Sequence, residues 1–156
     1  MDEKELKRAK SIAYRLLEYR GRSEKELTTR LKSKKVSGRV IAKVITDLKK
    51  VCLVDDKEFA RALVAERINR GYGPQRIARE LKAKGITESL VRRVIPELCD
   101  KQRIDNLMDE LIKSRVKRYR GKPPAEIKRK LYSYLSVRGF SFDEIERALE
   151  DIESIL

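Results

Sequence analysis

Displacing the sequence by 50 positions against itself lays Arg20-Gly21 on Arg70-Gly71 and then on Arg120-Gly121, and brings Leu27, Ile77 and Ile127, with Leu31, Leu81 and Leu131, into register. A chain built three times from one unit has to bury the same apolar stripe three times, which restricts it to a row of like modules. Between the first two units the register runs on: Val36 falls on Ile86, Ser37 on Thr87, Val40 on Leu90, Val44 on Val94 and Leu48 on Leu98. The third unit takes a short insertion after Leu131, beyond which Gly139, Ile145 and Leu149 match Gly85, Val91 and Ile95. The units divide the chain into residues 1–54, 55–104 and 105–156.

Each unit reads as three helices. In the first, Leu6, Ala9, Ala13, Leu16 and Leu17 mark one helical face, and Gly21 is placed to end that helix in a left-handed conformation. Ser23 and Glu26 have capping-box spacing at the next start, and Gly73-Pro74 and Pro123-Pro124 occupy the equivalent positions, where proline's missing N–H has no helical partner to lose. The third helix of the first two units carries Val40, Ile41, Val44, Ile45 and Leu48, then Leu90, Val91, Val94, Ile95 and Leu98, with Ser37 and Thr87 as caps. Ser141 and Glu144 form another capping box before Ile145, Leu149 and Ile152. No segment alternates with the period of a strand, so the expected fold is all-α: about nine helices in three tandem three-helix, helix-turn-helix-like repeats forming an elongated, curved array. Three helices with a glycine turn are a compact way to bury apolar stripes as well as a way to read a DNA groove.

The junction between the first two units carries Val54-Asp55-Asp56-Lys57-Glu58-Phe59-Ala60. Asp55 and Glu58 have capping-box spacing, and both carboxylates suit the positive end of a helix dipole. With no histidine in the chain and no further acidic residues at cation-loop spacing, capping is preferred to a metal site; Phe59 and Ala60 open the apolar face continued by Leu63 and Ile68. No phosphate-binding glycine loop and no activated nucleophile are present, so no catalytic residue and no cofactor are assigned. The two cysteines, Cys52 and Cys99, sit in apolar surroundings and read as buried reduced thiols. The chain has neither a secretory h-region at Met1 nor a run apolar enough to span a bilayer, and is expected to be soluble, cytoplasmic and independent of membranes.

The charge is what makes the chain more than a row of helices. Lys and Arg number 39 against 25 Asp and Glu, a formal charge of +14, so the summed field attracts polyanions or acidic surfaces. Residues 113–138 hold ten basic groups against Glu126 alone, while residues 139–156 hold Arg147 against six acids. Basic side chains also recur at equivalent places: Arg20, Arg70 and Arg120, then Lys32 with Lys82 and Lys34 with Lys84, with Lys128, Arg129 and Lys130 in the third unit. Lying on one side, they would form a strip that follows single- or double-stranded DNA without sequence choice, through counterion release. The arginines before each glycine are equally suited to bonding the last carbonyls of the preceding helix. Tyr119, Tyr132 and Tyr134 lie among these charges, either to stack on bases or to pack at the edge of the core.

Leu53-Val54-Asp55-Asp56 with Phe59-Ala60 resembles the most recognisable motif of the RecX family, bacterial regulators of RecA recombinase. The flanks agree: Ala13-Tyr14-Arg15-Leu16-Leu17 and Arg20 to Leu27 resemble that family's first repeat, and Gly73-Pro74, Ile77, Glu80, Leu81 and Gly85-Ile86 its second. The likeness spans residues 9–98, with a weaker continuation through the third repeat. Cys52 and Lys35 depart from it, each standing where the family has glycine. The resemblance implies a non-enzymatic, monomeric negative regulator that binds the RecA filament along its groove and curbs filament extension, ATP hydrolysis and strand exchange, in DNA repair, homologous recombination and the SOS response. The alternative is a stand-alone helix-turn-helix DNA-binding protein independent of RecA; a third reading, a nuclease using Asp55 and Asp56 with a divalent metal, requires magnesium-dependent cleavage.

Overall fold

A computed structural model describes all residues from Met1 to Leu156. It contains nine α-helices and no strand: α1 Glu3–Tyr19, α2 Glu24–Ser33, α3 Gly38–Lys50, α4 Asp56–Asn69, α5 Pro74–Ala83, α6 Glu88–Leu98, α7 Lys101–Val116, α8 Pro124–Arg138 and α9 Phe142–Leu149. Short 3-10 turns follow α7 at Lys117–Tyr119 and α9 at Ile152–Ser154. The helices fall in sequence into three triplets, whereas long-range packing gathers the chain into two compact units, one of Met1–Ala62 with Leu81–Val91 and the other of Leu63–Glu80 with Arg92–Leu156. No helix is long and apolar enough to cross a membrane.

In the first unit Ala9 and Ala13 of α1 meet Leu27 and Leu31 of α2 and the full α3 stripe from Val40 to Leu48. Small residues on α1 let the β-branched stripe of α3 come close, and Val54 closes the same core. In the second unit Ile104, Met108 and Ile112 of α7, Ile127, Leu131 and Leu135 of α8, and Ile145 and Leu149 of α9 are buried, at the i, i+4 spacing of helices that each present one stripe.

The helix ends follow one rule. At α2, α3, α4, α5 and α8 a single left-handed residue lets two amides turn back onto the last carbonyls. In α5 the amide of Gly85 donates to the Lys82 carbonyl (3.0 Å) and that of Ile86 to Leu81 (3.0 Å). At α2 the same pair of bonds is made by Lys35 and Val36, and at α3 by Cys52 and Leu53. Lys35 (φ 59°) and Cys52 (φ 57°) are the two non-glycine residues with positive φ, so both departures from the family pattern fall at positions where the backbone calls for glycine.

Four expectations are corrected. Gly21 does not adopt a left-handed conformation; α1 ends instead with Arg20 extended (φ −164°, ψ 163°), its side chain donating onward to the Gly21 carbonyl and to Glu26, so the chain leaves the helix without the turn a left-handed glycine would make. Ser37 precedes α3 without a side-chain cap, since its amide (2.6 Å) and hydroxyl (3.1 Å) both donate to Glu5 of α1. Thr87 does accept from the Leu90 amide (3.3 Å). Cys52 is exposed, lifted out of the core by the left-handed turn it occupies. Cys99 is buried, and burial pushes its thiol up to about 11, keeping it protonated and unreactive. Asp55 makes only the forward half of a box: its carboxylate accepts from the Lys57 (3.0 Å) and Glu58 (3.2 Å) amides, while Glu58 leans toward Arg61.

Asp56 has a separate task. Its carboxylate accepts the amide of Glu24 (2.8 Å), the first residue of α2, and so ties the start of α4 to the start of α2. Adjacent acids thus satisfy orphan donors on two different helices, which explains the pair without a metal. Burial works against the Asp56 charge and raises its pKa, the Glu24 amide opposing that shift.

Candidate nucleic-acid interface

One docking arrangement occurs twice, once within each compact unit. In the first, the start of α2 abuts the end of α5: the Ser23 hydroxyl donates to the Lys84 carbonyl (2.7 Å), the Lys25 ammonium to Ala83 (3.3 Å), and a Cβ on Gly85 would come within 2.4 Å of that of Lys25. In the second, the start of α5 abuts the end of α8: the Gly73 amide donates to the Arg138 carbonyl (2.7 Å), the Gln75 amide to Gly139 (3.0 Å), and a Cβ on Gly139 would meet that of Arg76 at 2.4 Å. Gly73 lies equally close to Gly139, so backbone meets backbone where neither residue has a side chain.

The chemistry of the two junctions differs. At the first, Glu26 takes Lys84 (2.9 Å), Arg20 (2.9 and 3.1 Å) and the Ser23 amide (3.1 Å). Burial opposes its ionisation, but the hydrogen bonds from Arg20, Lys84 and Ser23 prevail and hold its pKa down at about 2. In the repeat register the position of Glu26 is occupied by Arg76, and, beyond the insertion after Leu131, that of Lys84 by Arg138. An acid–base pair at one junction has become two arginines at the other.

What holds those arginines is aromatic. The Arg76 guanidinium lies 4.0 Å from the centroid of the Tyr72 ring and that of Arg138 lies 5.3 Å from it. Arg138 is also 5.0 Å from the Tyr134 ring, which Arg115 approaches to 4.4 Å. The result is a ladder, Arg76, Tyr72, Arg138, Tyr134, Arg115, in which each ring serves two cations. Arg138 donates to the carbonyls of Arg70 (2.9 Å) and Gly71 (3.3 Å), and Arg115 to the Tyr119 hydroxyl (3.3 Å); all are neutral acceptors that orient a guanidinium without cancelling its charge. Arg129, Lys130 and Tyr119 complete a cleft of about 630 Å³ that has no acidic residue in its lining.

Of the residues proposed from sequence, Arg129 and Lys130 stand in this cleft, with Lys130 3.9 Å from Glu126. Lys128 and Arg120 are exposed on the same repeat. Arg70 pairs with Glu66 (2.8 Å). Arg20 and Lys84 are both engaged by Glu26, and Lys82 lies 3.6 Å from Glu88. Lys32 and Lys34 are exposed without a carboxylate partner. Asp55, Asp56, Phe59 and Ala60 lie outside the cleft; Ala60 is buried and Phe59 half-buried. Tyr119 and Tyr134 line the cleft, whereas Tyr132 packs edge-on to Phe142 (6.0 Å, 64°).

Tyr72, Arg76, Arg115 and Arg138 were not among the proposed site residues. A sequence signal for Arg76 exists: Glu26 and Glu126 occupy its register in the other two repeats, so the second repeat alone reverses the charge there. No group of acidic or thiol side chains in the chain is arranged to hold a metal.

Three family models match the chain in tandem: RecX, first three-helix domain, over residues 9–48; RecX, second three-helix domain, over 55–95; and RecX, third three-helix domain, over 105–149. The regulatory protein RecX of Bacillus velezensis is 34% identical over 150 residues, covering 96% of this chain and 57% of that protein. Its counterpart in Finegoldia magna is 32% identical over 134 residues, covering 85% and 65%. The chain thus spans less than two thirds of the length of these relatives. The crystal structure of RecX from Lactobacillus salivarius superposes with a TM-score of 0.87 at 24% identity, over 97% of this chain and 98% of that one, which establishes the likeness of fold.

Proposed function

From the premise that this chain belongs to the RecX family, we propose that it is a negative regulator of RecA recombinase, which binds RecA–DNA filaments and restrains their extension, ATP hydrolysis and strand exchange. Its place is then in homologous recombination, DNA repair and the SOS response, and it acts in the cytoplasm as a monomer of three repeats (1–54, 55–104 and 105–156) without catalysis of its own.

The observation that carries this reading is the succession of all three family domains, in order, along one chain. The carboxylate-free arginine cleft supports the nucleic-acid half of it. A site that binds phosphodiester charge without reading bases suits a partner whose DNA sequence is arbitrary. Binding that joins a filament subunit to its DNA stabilises one geometry of the pair, and so opposes the subunit movements that growth and turnover require.

The experiment is RecA filament formation on fluorescently labelled single-stranded DNA with ATP and magnesium, followed by anisotropy as this protein is added after nucleation. Growth and ATP hydrolysis are expected to slow. Unchanged growth and hydrolysis at saturating protein would refute the regulatory reading; binding of the DNA by this protein alone would then point to a RecA-independent DNA-binding protein.

A further inference from the structure

We infer that the cleft between α5, α7 and α8 is a phosphate clamp for the nucleic-acid backbone and not a base-stacking platform, its tyrosines serving to hold arginines. This rests on the nucleic-acid reading above and specifies which part of the nucleic acid is bound.

Three observations carry it. The first is the exchange at equivalent junctions: where α2 meets α5 the charges close on themselves through Glu26, and where α5 meets α8 the same two positions are Arg76 and Arg138. The two guanidiniums share the Tyr72 ring in a cleft with no carboxylate in its lining, so the counter-charge that the ring does not supply can come from an anion. The second is the occupancy of the rings. Tyr72 and Tyr134 each have two guanidiniums over them at 4.0 to 5.3 Å, which commits to arginine the aromatic surface a base would need. The third is orientation. Arg138 and Arg115 are steered by backbone carbonyls and a phenol hydroxyl, all neutral, which leaves their full charge for a ligand. A guanidinium fork already fixed in place suits the paired oxygens of a phosphate and loses little entropy on binding one.

The probes are three fluorescent single-stranded oligonucleotides of one length: unmodified, abasic throughout a central tract, and carrying neutral methylphosphonate linkages through the same tract. Anisotropy with the full chain alone, without RecA, is expected to give near-equal affinity for the first two and a loss of roughly 10-fold or more for the third, the scale of one charge-assisted hydrogen bond. Arg76→Gln and Arg115→Gln should each weaken the unmodified oligonucleotide by about 10-fold and lower the slope of log affinity against log salt by about 0.7 for each phosphate no longer neutralised. Arg76 is exposed, so its substitution leaves the core intact. Tyr134→Phe keeps the ring and should keep the affinity, while Tyr134→Leu should lose it. Loss of binding with the abasic probe and retention with methylphosphonate overturns the clamp while leaving DNA binding in place. Failure of all three probes to bind removes the nucleic-acid reading together with the clamp, and leaves regulation of RecA to be judged by filament growth.

Discussion

Replacing Glu26 by Gln tests whether the first junction is held by charge. Gln has the shape of a protonated glutamic acid, so Glu26→Gln removes the ionised state and little else. A carboxyl at about 2 in the folded chain and near 4.5 when unfolded contributes at most about 3 kcal/mol at neutral pH. Glu26 and Lys84 are largely enclosed, with 17% and 26% of their side chains exposed, but Arg20 is 43% exposed and its share is screened by water. The expected loss is therefore about 2 kcal/mol at pH 7. Because the folded-state pKa is depressed, the contribution is complete above about pH 4.5 and disappears as the pH falls toward about 2. Urea denaturation followed by circular dichroism, on parent and variant in parallel from pH 7 to pH 2, reads the difference directly. Every other titrating group is common to both proteins, so a gap that closes with acid belongs to Glu26. A gap that stays constant across this range, or one below about 0.5 kcal/mol at pH 7, refutes the reasoning.

Asp56→Ala should destabilise by about 1 kcal/mol, because the Glu24 amide loses its acceptor. Since burial raises the Asp56 pKa, its ionised form costs stability at neutral pH, so Asp56→Asn, which keeps an acceptor without the buried charge, should equal or exceed the parent at pH 7; thermal melts that show Asn as harmful as Ala would contradict this. Asp55→Ala should cost about 1 kcal/mol through loss of the α4 cap, with the melting temperature of either protein unmoved by magnesium or a chelator. Cys52→Gly relieves a left-handed conformation and should raise stability by roughly 0.5 to 1 kcal/mol, measured by urea midpoint. In the parent, a thiol reagent should modify Cys52 at once and Cys99 only on unfolding.

The triplicate was legible as a recurrence in the sequence itself, and the nine helices, the proline starts at α5 and α8 and the capping boxes at Ser23 and Ser141 were legible because each depends on residues within a turn or two of one another. So was the helix-capping role of Asp55. What escaped was anything settled by a residue far along the chain. Ser37 looked like a cap, and it is Glu5, 32 residues earlier, that takes both its amide and its hydroxyl. Asp56 looked like part of its own helix start, and its acceptor oxygen serves Glu24.

The candidate site divides the same way. A net charge of +14 and a basic stretch over residues 113–138 are properties of composition, and they pointed to a polyanion and to Arg129 and Lys130. Whether a given arginine is available depends on what folds against it. Arg20 and Lys84 recur at attractive positions, yet tertiary packing places both on Glu26. Arg76 and Arg138 are 62 residues apart, and they share Tyr72 only because Gly73 and Gly139 let two backbones touch. Local sequence decides where helices begin and end, since hydrogen bonds and caps act over a few residues; which charges remain uncompensated is decided only when distant segments pack, because a Coulomb partner is set by distance in space and not by distance along the chain.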